Sequence, residues 1–84
     1  MEDMRQVVAS NLRRIRGERS LTLDELSFRA EVDRSYISQL EQGKHNPSAV
    51  ILGKLAKALN VKPSALLEVP PKPARRQSKP KSES

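Results

Sequence analysis

Two helix-start signals lie so close together that neither helix they open can be long, and this spacing constrains the fold more than any other feature of the chain. Thr22-Leu-Asp-Glu25 has the form of a capping box, in which each outer side chain accepts a hydrogen bond from the other residue's otherwise unpaired N–H. Asp33 is a second N-cap, followed by Arg34, Ser35 and Tyr36 in the first turn. One helix is therefore expected over 22–30, burying Leu26 and Ala30, with Ser27 small enough for another helix to approach. The next is expected over 33–42, burying Ile37 and Leu40, and Gly43 should end it.

The flanking segments supply helices for this pair to pack against. Met4, Val8, Leu12 and Ile15 recur at spacings of four and three, with Val7 and Asn11 beside them, which predicts an amphipathic helix over 3–18. After the loop Lys44-His45-Asn46-Pro47, Ser48 opens a helix whose apolar stripe is Leu52, Leu55, Ala56 and Leu59, ending near Asn60. Pro63 suits the first position of a short fifth helix carrying Leu66 and Leu67. The expected fold is all-α, a compact five-helix domain over 1–69. Residues 70–84 hold four prolines, no large apolar residue and no periodicity, so this tail is expected to be disordered.

Composition narrows the function classes. A chain of 84 residues supports one small domain with a modest core and leaves little room for a deep catalytic cleft. Cysteine is absent, which removes disulfides, thiolate metal sites and a Cys nucleophile. The one histidine, His45, stands in a loop with no second ligand nearby, so a surface role outweighs a metal site, and no metal or cofactor is expected. No nucleophile, base and orienting group can be assembled, and no Gly-rich phosphate loop occurs, so the chain does not read as an enzyme. Without an apolar run of about 20 residues, and with an acidic start at Glu2 and Asp3, a soluble cytoplasmic protein with no membrane partner is expected. Net charge is +6, of which the tail contributes +4, so charge alone leaves the folded part ambiguous. The tail is expected to add sequence-independent attraction to phosphates. Lys54, Lys57 and Lys62 read as solvated surface.

Two short helices joined by a turn of about three residues form a helix-turn-helix unit, in which the second helix enters the major groove of DNA. Its first turn must carry side chains that reach base edges, while its back is anchored to the core. Arg34, Ser35, Tyr36, Ser38 and Gln39 fit the first need, and Ile37 and Leu40 the second. Arginine can clasp guanine O6 and N7, and glutamine adenine N6 and N7, each pair worth about 1–3 kcal/mol of discrimination.

The stretch Arg34-Ser-Tyr-Ile-Ser-Gln-Leu-Glu-Gln-Gly43, with Asn46-Pro47-Ser48 and Lys54-Leu-Ala-Lys-Ala-Leu59, resembles the Cro and phage-repressor helix-turn-helix family, also called the Xre family. The resemblance implies that Arg34, Ser35 and Gln39 read bases. It sets Thr22, Tyr36, Ser38, Lys44 and Asn46 at the groove edge or phosphates, and implies an ion pair between Arg16 and Glu41. Three positions depart from the pattern. Leu23 replaces a phosphate-binding glutamine, so a contact there is main-chain or absent. Glu31 replaces a left-handed glycine, so the turn is either strained, by about 1 kcal/mol or more, or differently shaped. Gly53 stands where leucine is frequent and is expected to pack closely, against a partner helix.

One recognition helix reads about one half-site, so a homodimer on a palindromic site of double-stranded DNA is expected. Val50, Ile51, Leu66, Leu67 and Val69 are the candidate dimer surface, unless they simply close the core. The resulting reading is a transcriptional repressor or controller. The alternative is an antitoxin or adaptor whose main partner is another protein and whose DNA binding serves autoregulation.

Overall fold

In the computed structural model, residues 3–69 are described. The tail expected over 70–84, with its basic side chains, lies outside the described residues. Helix α1 (Met4–Glu18) starts at Asp3, whose carboxylate accepts from the Arg5 backbone N–H at 3.0 Å. The hydrogen bonds from the Arg5 guanidinium and N–H hold the Asp3 carboxyl below the usual carboxylate range. The buried side of α1 comprises Val7, Val8, Ala9, Asn11, Leu12 and Ile15. Met4, expected on this stripe, stands half-exposed at its rim, because the apolar face begins one turn later, at Val7 and Val8.

Helix α2 (Leu23–Ala30) forms with the capping box complete: Thr22 N–H donates to Glu25 Oε1 at 2.8 Å, and Glu25 N–H to Thr22 Oγ1 at 3.0 Å. Helix α3 (Arg34–Glu41) starts at Asp33, which accepts from the Tyr36 N–H at 3.2 Å. Helix α4 (Ala49–Leu59) starts at Ser48, whose hydroxyl accepts from the Ile51 N–H. The expected fifth helix is a single 3-10 turn, Pro63–Leu66, with the proline in its first turn. No helix among the described residues is long and apolar enough to cross a membrane.

Packing joins α1 to α3, α2 to both α3 and α4, and the 3-10 turn to α1 and α4. Leu12, Leu26, Ile37, Leu40, Leu55, Leu59 and Leu66 are the fully buried large side chains, so the core is aliphatic and draws on every element. Leu66 therefore leaves the candidate dimer surface: the 3-10 turn drives its side chain into the core, where no partner can reach it. Asn11 is buried beside it and satisfied, because its amide donates to the carbonyls of Leu66 at 3.0 Å and Glu68 at 2.8 Å. Gly53 does not pack closely within the protomer, since a Cβ there would meet no atom within 4 Å.

Glu31 has the left-handed conformation (φ 58°, ψ 42°), so the turn keeps a left-handed shape with a glutamate in it. Three bonds centred on Ser27 hold it: the Glu31 and Val32 N–H groups donate to the Ser27 carbonyl at 2.9 and 3.3 Å, and the Ser27 hydroxyl donates to the Val32 carbonyl at 2.6 Å. Val32 is buried in the core, which fixes the angle at which α3 leaves the turn.

Candidate nucleic-acid interface

Helix α3 is divided lengthwise. Ile37, Leu40 and Glu41 are buried, while Arg34 and Ser35 are exposed and Ser38 and Gln39 partly so, which puts the four polar groups on the outward side. Register is fixed from behind by one ion pair. Arg16 of α1 donates through Nε to Glu41 Oε2 at 2.6 Å and through its terminal nitrogen to Oε1 at 2.9 Å, a two-pronged contact. A further bond from Arg16 to the Leu21 carbonyl at 2.9 Å ties the loop after α1 to the same guanidinium. Glu41 is 8% exposed, and the hydrogen bonds it accepts raise the Arg16 guanidinium above its usual value, so the guanidinium stays charged.

Two of the base-reading candidates have partners that the sequence did not signal. Arg34 Nε lies 2.7 Å from Asp24 Oδ1 on α2, and both side chains are well exposed. Because only Nε is engaged, the two terminal nitrogens of the guanidinium remain available to a base edge. Gln39 Oε1 lies 2.8 Å from Nε2 of His45 in the loop after α3, and the His45 ring stacks on Tyr36 with centroids 5.5 Å apart and planes 21° apart. Tyr36 is half-buried against the core, so one aromatic side chain joins the core to the outer surface. Asp24 is signalled only as a first-turn acid of α2 and His45 only as a loop residue; their pairings depend on tertiary placement.

The edge candidates spread around this face. Thr22 is exposed, with its hydroxyl occupied as the α2 cap, and Ser38 accepts from the Gln42 amide at 3.1 Å. Lys44 and Asn46 are exposed in the loop before α4. Leu23, at the position of the missing glutamine, packs against the core, so apolar packing takes the place of a polar side chain there. Of the candidate dimer residues, Val50, Leu67 and Val69 are exposed at 68%, 40% and 52%, and Ile51 is partly covered by the core. Among the described residues no group of three or more potential metal ligands occurs.

Comparison with known proteins agrees with this architecture. The helix-turn-helix family model matches residues 12–66. An uncharacterised HTH-type transcriptional regulator, y4dJ of Sinorhizobium fredii, is 44% identical over 59 residues, 70% of this chain and 77% of that protein. The crystal structure of the restriction-modification controller protein C.AhdI from Aeromonas hydrophila has a TM-score of 0.71 and 35% identity, covering 74% of this chain and 94% of that one. A similar structure is the controller protein C.Esp1396I, solved as a tetramer in complex with its natural 35 base-pair operator, with a TM-score of 0.71 and 26% identity over 79% of this chain and 87% of that one. With the capped α2–turn–α3 pair, the Arg16–Glu41 brace and these matches in agreement, the chain belongs to the Cro/phage-repressor (Xre) type of the helix-turn-helix family.

Proposed function

We propose that the protein is a sequence-specific DNA-binding transcriptional regulator, a repressor or controller, that reads a palindromic operator with α3 in the major groove. The observation that carries this reading is the outward side of α3: Arg34, Ser35 and Gln39 stand free of the core on a helix braced by Glu41, Ile37 and Leu40. Such a helix presents long polar groups at fixed positions, which is what base-edge readout requires. Thr22, Tyr36, Ser38, Lys44 and Asn46 line the groove edge or phosphates in this reading. The operator-bound tetramer of the related controller supports double-stranded DNA and a multimer as partners. A homodimer would use the exposed Val50, Leu67 and Val69, with Ile51 at the margin and Gly53 leaving room for a close approach. The reading gives the protein no catalytic step and places its work in the cytoplasm.

Selection of bound sequences from a random duplex pool tests this, comparing wild type with Arg34→Ala and Gln39→Ala at matched near-physiological salt. A palindrome should be enriched, and each variant should lose about 1–3 kcal/mol of discrimination at its own base pair. Salt-sensitive retention with no enriched motif would overturn the reading in favour of a protein partner.

A further inference from the structure

We infer that His45 is a specificity-determining positioning residue: it holds the Gln39 amide with its NH2 group toward the groove, so that Gln39 reads guanine rather than adenine. The inference rests on the proposed DNA reading and goes beyond it by assigning a role to a residue outside the recognition helix.

An amide oxygen only accepts hydrogen bonds, so the 2.8 Å contact between His45 Nε2 and Gln39 Oε1 requires the ring proton on Nε2. The imidazole is itself held in place. Its face rests on Tyr36, and its backbone is brought back over the end of α3 by Gly43, whose φ of 76° lets the Lys44 N–H reach the Gln39 carbonyl at 3.0 Å. Gln39 is therefore held at both its main-chain carbonyl and its side-chain carbonyl by two consecutive loop residues. A free glutamine turns either end of its amide outward at little cost. Here the oxygen is occupied, and the NH2 group has no hydrogen-bond partner among the described residues.

This orientation changes which base edge fits. Adenine needs both amide ends, donating from N6 to the oxygen while its N7 accepts from the NH2 group. With one lone pair of Oε1 already used, the oxygen is a poorer second acceptor, and the polarised amide is a better donor. Guanine offers acceptors at both O6 and N7, which an outward NH2 group satisfies without the oxygen. Holding the side chain also removes rotamer freedom before DNA arrives, which lowers the ordering cost of binding.

The test is a selection from a random duplex pool with the full chain as wild type, Gln39→Ala, His45→Ala, His45→Gln and the Gln39→Ala/His45→Ala pair, with folding checked by circular dichroism. The pair read by Gln39 is the one whose preference disappears in Gln39→Ala. Wild type should enrich G·C there, and His45→Ala should shift the G·C to A·T ratio at that pair by at least tenfold. His45→Gln, whose amide can donate from nearly the same place, should retain G·C, and the double variant should match Gln39→Ala. A merely stabilising role would weaken all sites alike and leave the ratio unmoved. A wild-type motif with A·T at that pair, or with a ratio that His45→Ala leaves unchanged, overturns this inference alone. No wild-type motif overturns the proposed function and this inference together.

Discussion

Helix α3 turns two unlike sides to its surroundings. Toward the protein, Ile37 and Leu40 are fully enclosed and Glu41 is clamped by Arg16; toward solvent, the Arg34 side chain meets Asp24 and the Gln39 side chain meets His45, each through one polar contact. Enclosed groups lose packing and desolvated partners when changed, whereas exposed pairs are worth about 0–1 kcal/mol. The inner side should therefore govern whether the helix is held, and the outer side what it reads, with little exchange between the two.

The strongest attempt to break this separation is Leu40→Ala, expected to cost about 2–5 kcal/mol in denaturant unfolding while leaving the base preference of the folded fraction intact. A changed preference would mean that the core sets the outer geometry after all. Arg16→Ala comes next, at roughly 2–3 kcal/mol, because it leaves the Glu41 carboxylate buried without its partner. This variant should also loosen the seating of α3, seen as faster amide exchange across 34–41. A smaller effect of opposite sign is expected at the turn: Glu31→Gly should raise stability by up to about 1 kcal/mol, since glycine adopts the left-handed conformation without the Cβ penalty.

The smallest effect lies away from α3 altogether. Hydrogen bonds from the Thr22 backbone N–H and within the capping box lower the Glu25 carboxyl from its ordinary value. The folded state thus binds this proton less readily than the unfolded state. The resulting stabilisation is fully present above the ordinary glutamate value of about 4.3 and is lost as pH falls through the lower folded value. Thermal unfolding of wild type and Glu25→Gln should differ near neutrality and converge in acid, once pH has fallen through the lowered folded value. A gap that widens in acid would contradict the assignment.

What is legible in the sequence is what is written locally. Thr22 with Glu25, Asp33 and Ser48 mark helix starts through bonds that span only a few residues, and Gly43 and Pro63 mark ends through backbone conformation, so the order of residues alone locates three helices and the final turn, while periodicity locates α1. The left-handed turn at Glu31 is one of two alternatives, because a sequence does not show whether a non-glycine will bear the strain or reshape the loop. Leu66 illustrates the opposite limit: its apolar character fits a core or an interface equally, and only the direction taken by the 3-10 turn decides for the core. Gly53 has open space beside it within the protomer, so the close packing expected there is left to a partner helix, which the order of residues in one chain does not show. Asp24 beside Arg34 and His45 beside Gln39 depend on how a helix and a loop meet in space, which spacing along the chain does not encode.

Asn11 sets where this domain can be divided. The segment by which the family is recognised spans 12–66, yet the amide that closes the fold belongs to residue 11 and one of its two acceptors to Glu68. A fragment trimmed to the recognisable segment would lose the donor entirely, and one that kept Asn11 but stopped at Leu66 would strand a buried N–H at a cost of about 1–3 kcal/mol. The module that can be moved intact into another protein is thus wider than the module that can be detected, and its edges are drawn by one side chain that bridges the two ends.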